Sequence, residues 1–269
     1  MHVGARDIAI EADPERRFGG LRRLYGDAGY AHLRRARVAI VGLGGVGSWA
    51  AEALARSGVA ALTLIDLDQI AESNINRQVQ ALGSTVGAAK VDALADRIAD
   101  IHPGCAITKV EEFVGADNWP GLLASPVDAV IDACDDLRAK LVLAGWALAD
   151  PMHRLVVCGA AGGKRRPQAI DVADLAQVTH DPLLAALRQR LRKAGAVASG
   201  RIDGAAGGRR FGIDCVFSRE AVLRPEGVDA AALDGGLNCH GYGSSVGVTA
   251  SFGMTAAAQV IEGLLSRAG

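Results

Sequence analysis

The chain has 269 residues, half of them hydrophobic and 22% charged, which excludes wholesale disorder and suits one large α/β domain or two small ones. A balance of 29 Lys and Arg against 30 Asp and Glu gives a formal charge of −1, so a polyanionic partner has to be met by a local patch. Aromatic residues make up only 4%, too few for a broad base-stacking platform, whereas the 34 glycines suit a phosphate-cradling protein.

In chain order, residues 1–36 read as an N-terminal helical segment. Arg37 to Gly42 is a short β-branched strand ending in glycine, and Gly45 to Ser57 comes next with helical spacing. Ala60 to Asp66 is a second strand, Val86 to Ile101 an amphipathic helix and Cys105 to Val110 a third strand. Val127 to Cys134 is a fourth strand, Leu137 to Leu148 a helix and Leu155 to Gly159 a fifth strand. Apolar strands alternating with helices predict a Rossmann-like α/β fold: a mainly parallel sheet with helices on both faces.

After Gly163 the pattern changes to an elaborated C-terminal third. Gln168 to Val172 and Gly212 to Ser218 read as strands, separated by a basic helix from Pro182 to Lys193. Ala194 to Arg210 has no apolar period and reads as a mobile loop; Gly235 to Ser245 is a second glycine-rich loop. Val246 to Ile261 is uncharged but short of the roughly 20 strongly apolar residues of a membrane span. It is expected to be a buried helix without stable membrane insertion, peripheral membrane association being the alternative. No internal repeat is evident, and one domain over 1–269 is expected.

Five cysteines (Cys105, Cys134, Cys158, Cys215 and Cys239) form no Cys-x-x-Cys pair, so no zinc is expected. Their odd, scattered count argues against a disulfide framework. With Met1 to Arg17 lacking an apolar run, it points to a cytoplasmic location.

Gly42-Leu43-Gly44-Gly45-Val46-Gly47 fits G-x-G-x-x-G between a strand and a helix, and Asp66 ends the next strand. Glycines let backbone approach phosphate, the helix N-terminus supplies N–H donors, and the carboxylate takes ribose hydroxyls. Alone this indicates a nucleotide. The next segments depart from a dehydrogenase: Asp66-x-Asp68, Ser73-Asn74-Ile75-Asn76-Arg77-Gln78 and Val86-Gly87-x-x-Lys90. In this order and spacing the chain resembles the ubiquitin-activating-enzyme-like adenylyltransferases.

The resemblance implies that ATP is bound by Gly42, Gly44, Gly45, Gly47, Asp66, Asp68, Asn74, Arg77, Gln78, Lys90 and Asp135. Gly45 and Asp66 would hold the nucleotide's backbone side and ribose, while Asn74, Arg77, Gln78 and Lys90 would hold its triphosphate. Asp135, in Val130-Ile131-Asp132-Ala133-Cys134-Asp135, matches the family's magnesium-associated carboxylate. Adenylating a carboxylate expels pyrophosphate through a pentavalent phosphorus centre, so cations such as Arg77 and Lys90 have to meet growing negative charge. Both fall at polar positions, and their removal is expected to cost little stability. The plainer alternatives are a solvated helix charge for Lys90 and a turn cap for Asp132.

Further stretches narrow the likeness: Arg17-Phe18-Gly19-Gly20-x-x-Arg23-Leu24-Tyr25-Gly26, Gly159-x-x-Gly162-Gly163, Asp181-Pro182-Leu183 and Asp214-Cys215-Val216-Phe217-Ser218. These resemble the tRNA threonylcarbamoyladenosine dehydratases. That likeness implies ATP-dependent cyclisation of threonylcarbamoyladenosine through an acyl-adenylate, a homodimer, a structural monovalent cation, and links to a cysteine desulfurase and its sulfur acceptor. Residues 37–163 would then be the nucleotide-binding core and 164–269 the tRNA-contacting, dimer-completing portion. Related sulfur-carrier adenylyltransferases place near the N-terminus an arginine that reaches the partner's ATP; here Gly20 stands there, with Arg17 and Arg23 as substitutes. Cys239, beside Asn238 and His240, aligns with a candidate functional thiol and alternatively is a small packing residue.

Between Ala160 and Arg210 ten basic residues face four acidic ones. Lys164, Arg165, Arg166, Arg188 and Arg192 are the candidate tRNA contacts, with Arg188 and Arg192 on one expected helix face. A charge run is alternatively a solvated surface. Two other functions stay open: an adenylyltransferase for a ubiquitin-like sulfur carrier, against which the missing zinc motif counts, and a nucleotide-binding protein without turnover.

Overall fold

The computed structural model describes residues 12–195, 210–223 and 242–266. Most of both glycine-rich loops, and Cys239 with them, lie outside the described residues. The helices are α1 (Pro14–Leu33), α2 (Gly47–Arg56), α3 (Lys90–Ile101), α4 (Leu137–Ala149), α5 (Pro182–Lys193) and α6 (Val246–Leu265). The strands are β1 (Arg37–Val41), β2 (Ala61–Ile65), β3 (Ala106–Val110), β4 (Ala129–Asp132), β5 (Leu155–Cys158), β6 (Ile170–Asp174) and β7 (Asp214–Ser218).

The seven strands form one sheet in the order β3-β2-β1-β4-β5-β7-β6. Every pair is parallel except β6 with β7. β1, an interior strand, pairs Val38 with Leu62 on one side and Ala129 on the other. Its burial on both faces explains why Val38–Val41 are all apolar. One face packs on α2, α3 and α6 through Leu54, Leu94, Ile98, Phe252 and Val260. The other packs on α4 and α5 through Leu143, Leu184, Leu187 and Phe217. Each such side chain stabilises the fold by about 1.5–3 kcal/mol through removal from water. α6 is long and apolar enough to cross a membrane, and in this fold it lies on α2 with Val248, Phe252, Ala256 and Val260 buried.

Two elements depart from expectation. α3 begins at Lys90 and not Val86, because residues 85–88 form a turn in which the Gly87 N–H bonds the Ile70 carbonyl at 2.8 Å. β3 is an edge strand with three of five residues exposed, so it is not the apolar run of a covered strand. β6 runs antiparallel and closes the other edge.

The N-terminal helix is tied to the end of α3. Asp13 caps α1 by accepting from the Glu15 and Arg16 N–H groups, and Arg17 donates to the carbonyls of Asp100 and Ile101 at 2.7 and 2.6 Å. His102, just beyond α3, lies 4.7 Å from the Phe18 ring and accepts at Nε2 from Arg34 at 2.8 Å. Burial first, then the charges of Arg34 and Arg17, push its pKa down to about 4 from 6.5. The unfolded chain therefore takes up a proton at a pH where the folded one does not. Stability contributed by neutral His102 is complete above about 6.5 and is lost as pH falls toward about 4, by roughly 1 kcal/mol per pH unit. Urea unfolding across pH 7.5 to 4.5 should show this slope, and His102→Gln should flatten it.

Candidate active site

Beyond the C-terminal ends of β1 and β4, where the strand order reverses, lies a cavity of about 540 Å³. Its walls are the glycine turn after β1, the end of β2, the turn around Asn74, the start of α3, the β4–α4 turn and residues 159–161. Gly42, Gly44 and Gly45 line it. Gly42 holds φ +85°, and a Cβ there would stand 2.8 Å from the Cys134 nitrogen. Gly47 does not line the cavity: a Cβ on it would reach 1.8 Å from the Gly42 carbonyl oxygen, so this position lets α2 close onto β1.

Asp66 is buried with both carboxylate oxygens engaged, Oδ2 accepting from the Leu43 N–H at 2.6 Å and Oδ1 from the Asp68 N–H at 2.9 Å. Lys90 lies 2.6 Å from Asp68 and 3.5 Å from Asp66, and only 6% of it is exposed. It is thus not a solvated helix charge, and its removal would leave a buried carboxylate short of its counter-charge. The expectation of a low stability cost is corrected for Lys90.

Asn74, Arg77 and Gln78 line the same cavity. Asn74 is buried, its Oδ1 accepting from the Ala71 N–H, and buried Gln78 accepts from Gln80, whose amide also donates to the Leu43 carbonyl. Arg77 is half-buried at the rim, its guanidinium donating to the Ser73 carbonyl and Asn76 Oδ1 at 2.6 and 2.9 Å. Its own carbonyl accepts from Trp49 at 3.0 Å and Thr249 at 3.4 Å. Thr249, on α6, also lines the cavity; nothing local in the sequence marks it, because it is 172 residues away from Arg77.

On the opposite wall Asp135 is exposed to the cavity. The turn that carries it is built on Asp132, which is fully buried and 3.0 Å from the equally buried Lys140. Asp132 Oδ1 also accepts from the Cys134 N–H and thiol, at 3.2 and 3.0 Å, so the turn-cap reading is part of its role. Lys140 donates to the Cys158 carbonyl at 2.9 Å as well, joining the ends of β4 and β5. Burial disfavours its charge, but the Asp132 carboxylate outweighs that and holds the ammonium above its ordinary pKa. Burial pushes the Cys158 thiol up to about 12 and the Cys134 thiol well above its usual range, so neither is a ready thiolate. Lys140 belongs to no motif; its one mark in the sequence is a lysine within the largely apolar helix Leu137–Ala149.

The candidate tRNA residues separate. Lys164 is 2% exposed and its ammonium is spent on main-chain carbonyls, which removes it from the surface set. Arg188 is half-buried, donating to the Leu175 and Val178 carbonyls at 3.1 and 2.8 Å, so it does not share an exposed face with Arg192. Arg165, Arg166, Arg190, Arg192, Lys193 and Arg210 are exposed.

The chain matches the ThiF family over residues 19–267. It is 38% identical over 254 residues to the tRNA threonylcarbamoyladenosine dehydratase of Haemophilus influenzae, covering 94% of this chain and 95% of that one. Among solved structures it is similar to the Escherichia coli tRNA N6-threonylcarbamoyladenosine dehydratase in complex with ATP, with a TM-score of 0.82 and 40% identity over 94% of this chain and 96% of that one. The same enzyme in complex with AMP gives a TM-score of 0.81 at 40% identity over the same shares.

The buried pair in the β4–α4 turn yields a direct test. Lys140→Met leaves Asp132 as an uncompensated buried charge and should cost about 3–5 kcal/mol. Adding Asp132→Asn should recover part of that loss in urea unfolding, since the second change removes the stranded charge.

Proposed function

This chain belongs to the ThiF family, and from that membership we propose that it is an ATP-dependent tRNA threonylcarbamoyladenosine dehydratase. What supports this most is one cavity that brings Gly42, Gly44, Gly45, Asp66, Arg77, Lys90 and Asp135 together, in a chain similar to such enzymes over almost its whole length.

The cavity fits ATP chemically. The N-terminus of α2 offers backbone N–H groups, Asp66 a buried carboxylate at the β2 end for ribose hydroxyls, and Arg77 and Lys90 two cations for phosphates. Asp135 suits Mg²⁺, which keeps most of its water and takes one or two carboxylates besides phosphate oxygens. The threonyl carboxylate of the modified adenosine attacks the α-phosphorus and pyrophosphate leaves. The carbamoyl group then attacks the activated carbonyl carbon and AMP leaves, with net loss of water.

In the first of these steps Lys90 turns from Asp68 to the phosphates, and Arg77 adds charge from the rim, so both stabilise the phosphorus centre more than the ground state. Exposed Arg165, Arg166, Arg190, Arg192, Lys193 and Arg210 are the tRNA-facing set. A homodimer, a structural monovalent cation and docking to a cysteine desulfurase and its sulfur acceptor belong to the same reading, as does a cytoplasmic location. Arg17 is committed to the end of α3, which leaves exposed Arg23 as the arginine to reach a partner's ATP.

AMP formation from ATP, measured with tRNA that carries threonylcarbamoyladenosine and with tRNA that lacks it, tests the assignment: only the modified tRNA should support turnover. Arg77→Ala and Lys90→Met should each lower that turnover by about 100–1,000-fold, with folding checked by circular dichroism. Asp135→Asn should raise the magnesium concentration needed for half-maximal rate.

Reversal of Arg190, Arg192 and Lys193 to Glu should weaken tRNA binding while leaving ATP binding unchanged. Each lost phosphate contact should flatten the salt dependence by about 0.7–0.9 in log–log slope. Parallel slopes in parent and variant would move the tRNA surface to Arg165, Arg166 and Arg210.

A further inference from the structure

Lys164 lies outside the nucleotide cavity, on the segment leading from β5 to β6, and is 2% exposed. An ammonium has three hydrogens to donate, and three carbonyl oxygens receive them: Glu220 at 3.0 Å, Ser218 at 3.3 Å and His180 at 3.4 Å. Among the described residues its hydrogen-bond partners are main-chain carbonyls alone. They come from two segments far apart in sequence, the turn before α5 and the exit of β7. His180 is held at φ 57°, a conformation that non-glycine residues keep only where the surroundings fix it.

The neighbours of these carbonyls reach the cavity wall. Asp181, next to His180, caps α5 through the Leu184 N–H at 3.0 Å and accepts the Ala160 N–H at 2.9 Å, and Ala160 lines the nucleotide cavity. Glu220 accepts from the N–H groups of both Arg165 and Arg166, at 3.0 and 2.8 Å. Burial lowers the Lys164 pKa below its ordinary value, and the charges of Asp181 and Glu220 offset part of that in favour of the ammonium.

A ring of backbone carbonyls that replaces a hydration shell is how proteins hold small monovalent cations. We propose that Lys164 is a built-in monovalent cation: its ammonium fills a main-chain carbonyl site and thereby positions Asp181 and the 159–161 wall of the nucleotide cavity. Truncating the side chain opens a site of the same chemistry, which K⁺ or NH₄⁺, ions close in size to the lost ammonium, can enter. The methionine side chain, neutral and one atom shorter, crowds the site without supplying the charge.

Lys164→Ala and Lys164→Met discriminate this from simple packing. Thermal unfolding and ATP binding are measured for both, and for the parent, in choline, potassium and ammonium chloride at equal ionic strength. In choline each variant should lose roughly 3–10 °C of melting temperature, because buried carbonyls lose their donors. Potassium or ammonium should restore most of the loss in Lys164→Ala, saturably, and none of it in Lys164→Met. ATP affinity should fall about fivefold or more in choline and recover in the same pattern.

Equal behaviour of the two variants in every salt, no difference of either from the parent, or failure of Lys164→Ala to fold in potassium would overturn the proposal. Folding of Lys164→Ala in potassium and unfolding on exchange into choline would support it. The ATP arm rests on the function proposed above, whereas the thermal arm does not. Salt-specific recovery of melting temperature in a protein whose parent fails to bind ATP would sink that function and leave the cation site standing.

Discussion

Everything in the site depends on the divergence of connections at the middle of the sheet. The chain leaves β1 toward α2 on one face and leaves β4 toward α4 on the other, so the two turns part and open a crevice between them. The backbone at that point has to be tight: Gly42 sits against the Cys134 nitrogen, and Gly47 sits against the Gly42 carbonyl. With those approaches fixed, the N–H groups at the start of α2 face one side of the crevice and the Asp132–Asp135 turn forms the other.

Charge is then managed before any ligand arrives. Lys90 is held by Asp68 and Asp66, Lys140 by Asp132, and Lys164 by three carbonyls. A buried ammonium without such partners would shift toward its neutral form or unfold its surroundings. The three lysines serve different ends for that reason. Lys90 borders the cavity, and its partner Asp68 is largely exposed, so the pair can open. Lys140 and Asp132 are both sealed from solvent and act as a fixed brace.

The strands and helices of the nucleotide core are legible in the sequence because their signals are local. β1 and β4 are short apolar runs, and α5 begins at Pro182 as its Asp181-Pro182 start implies, with Asp181 accepting the Leu184 N–H. Periodicity alone starts α3 four residues early, because the apolar spacing continues through Val86, where a long-range bond from Gly87 to Ile70 makes a turn. Likewise, Arg188 reads from sequence as one more surface arginine, yet its stem lies along the body and its guanidinium closes two carbonyls before α5.

The sequence by itself determined the alternating α/β order and the glycine turn, because strand and helix periodicity and turn chemistry are properties of neighbouring residues, and it marked Asp66, Asn74, Arg77, Lys90 and Asp135 through a family resemblance. Only the tertiary structure decided which charges are spent. Whether Lys164 faces solvent or three carbonyls, and whether Lys90 is solvated or paired with Asp68, depends on segments brought together from across the chain, and carbonyl groups leave no mark in a sequence.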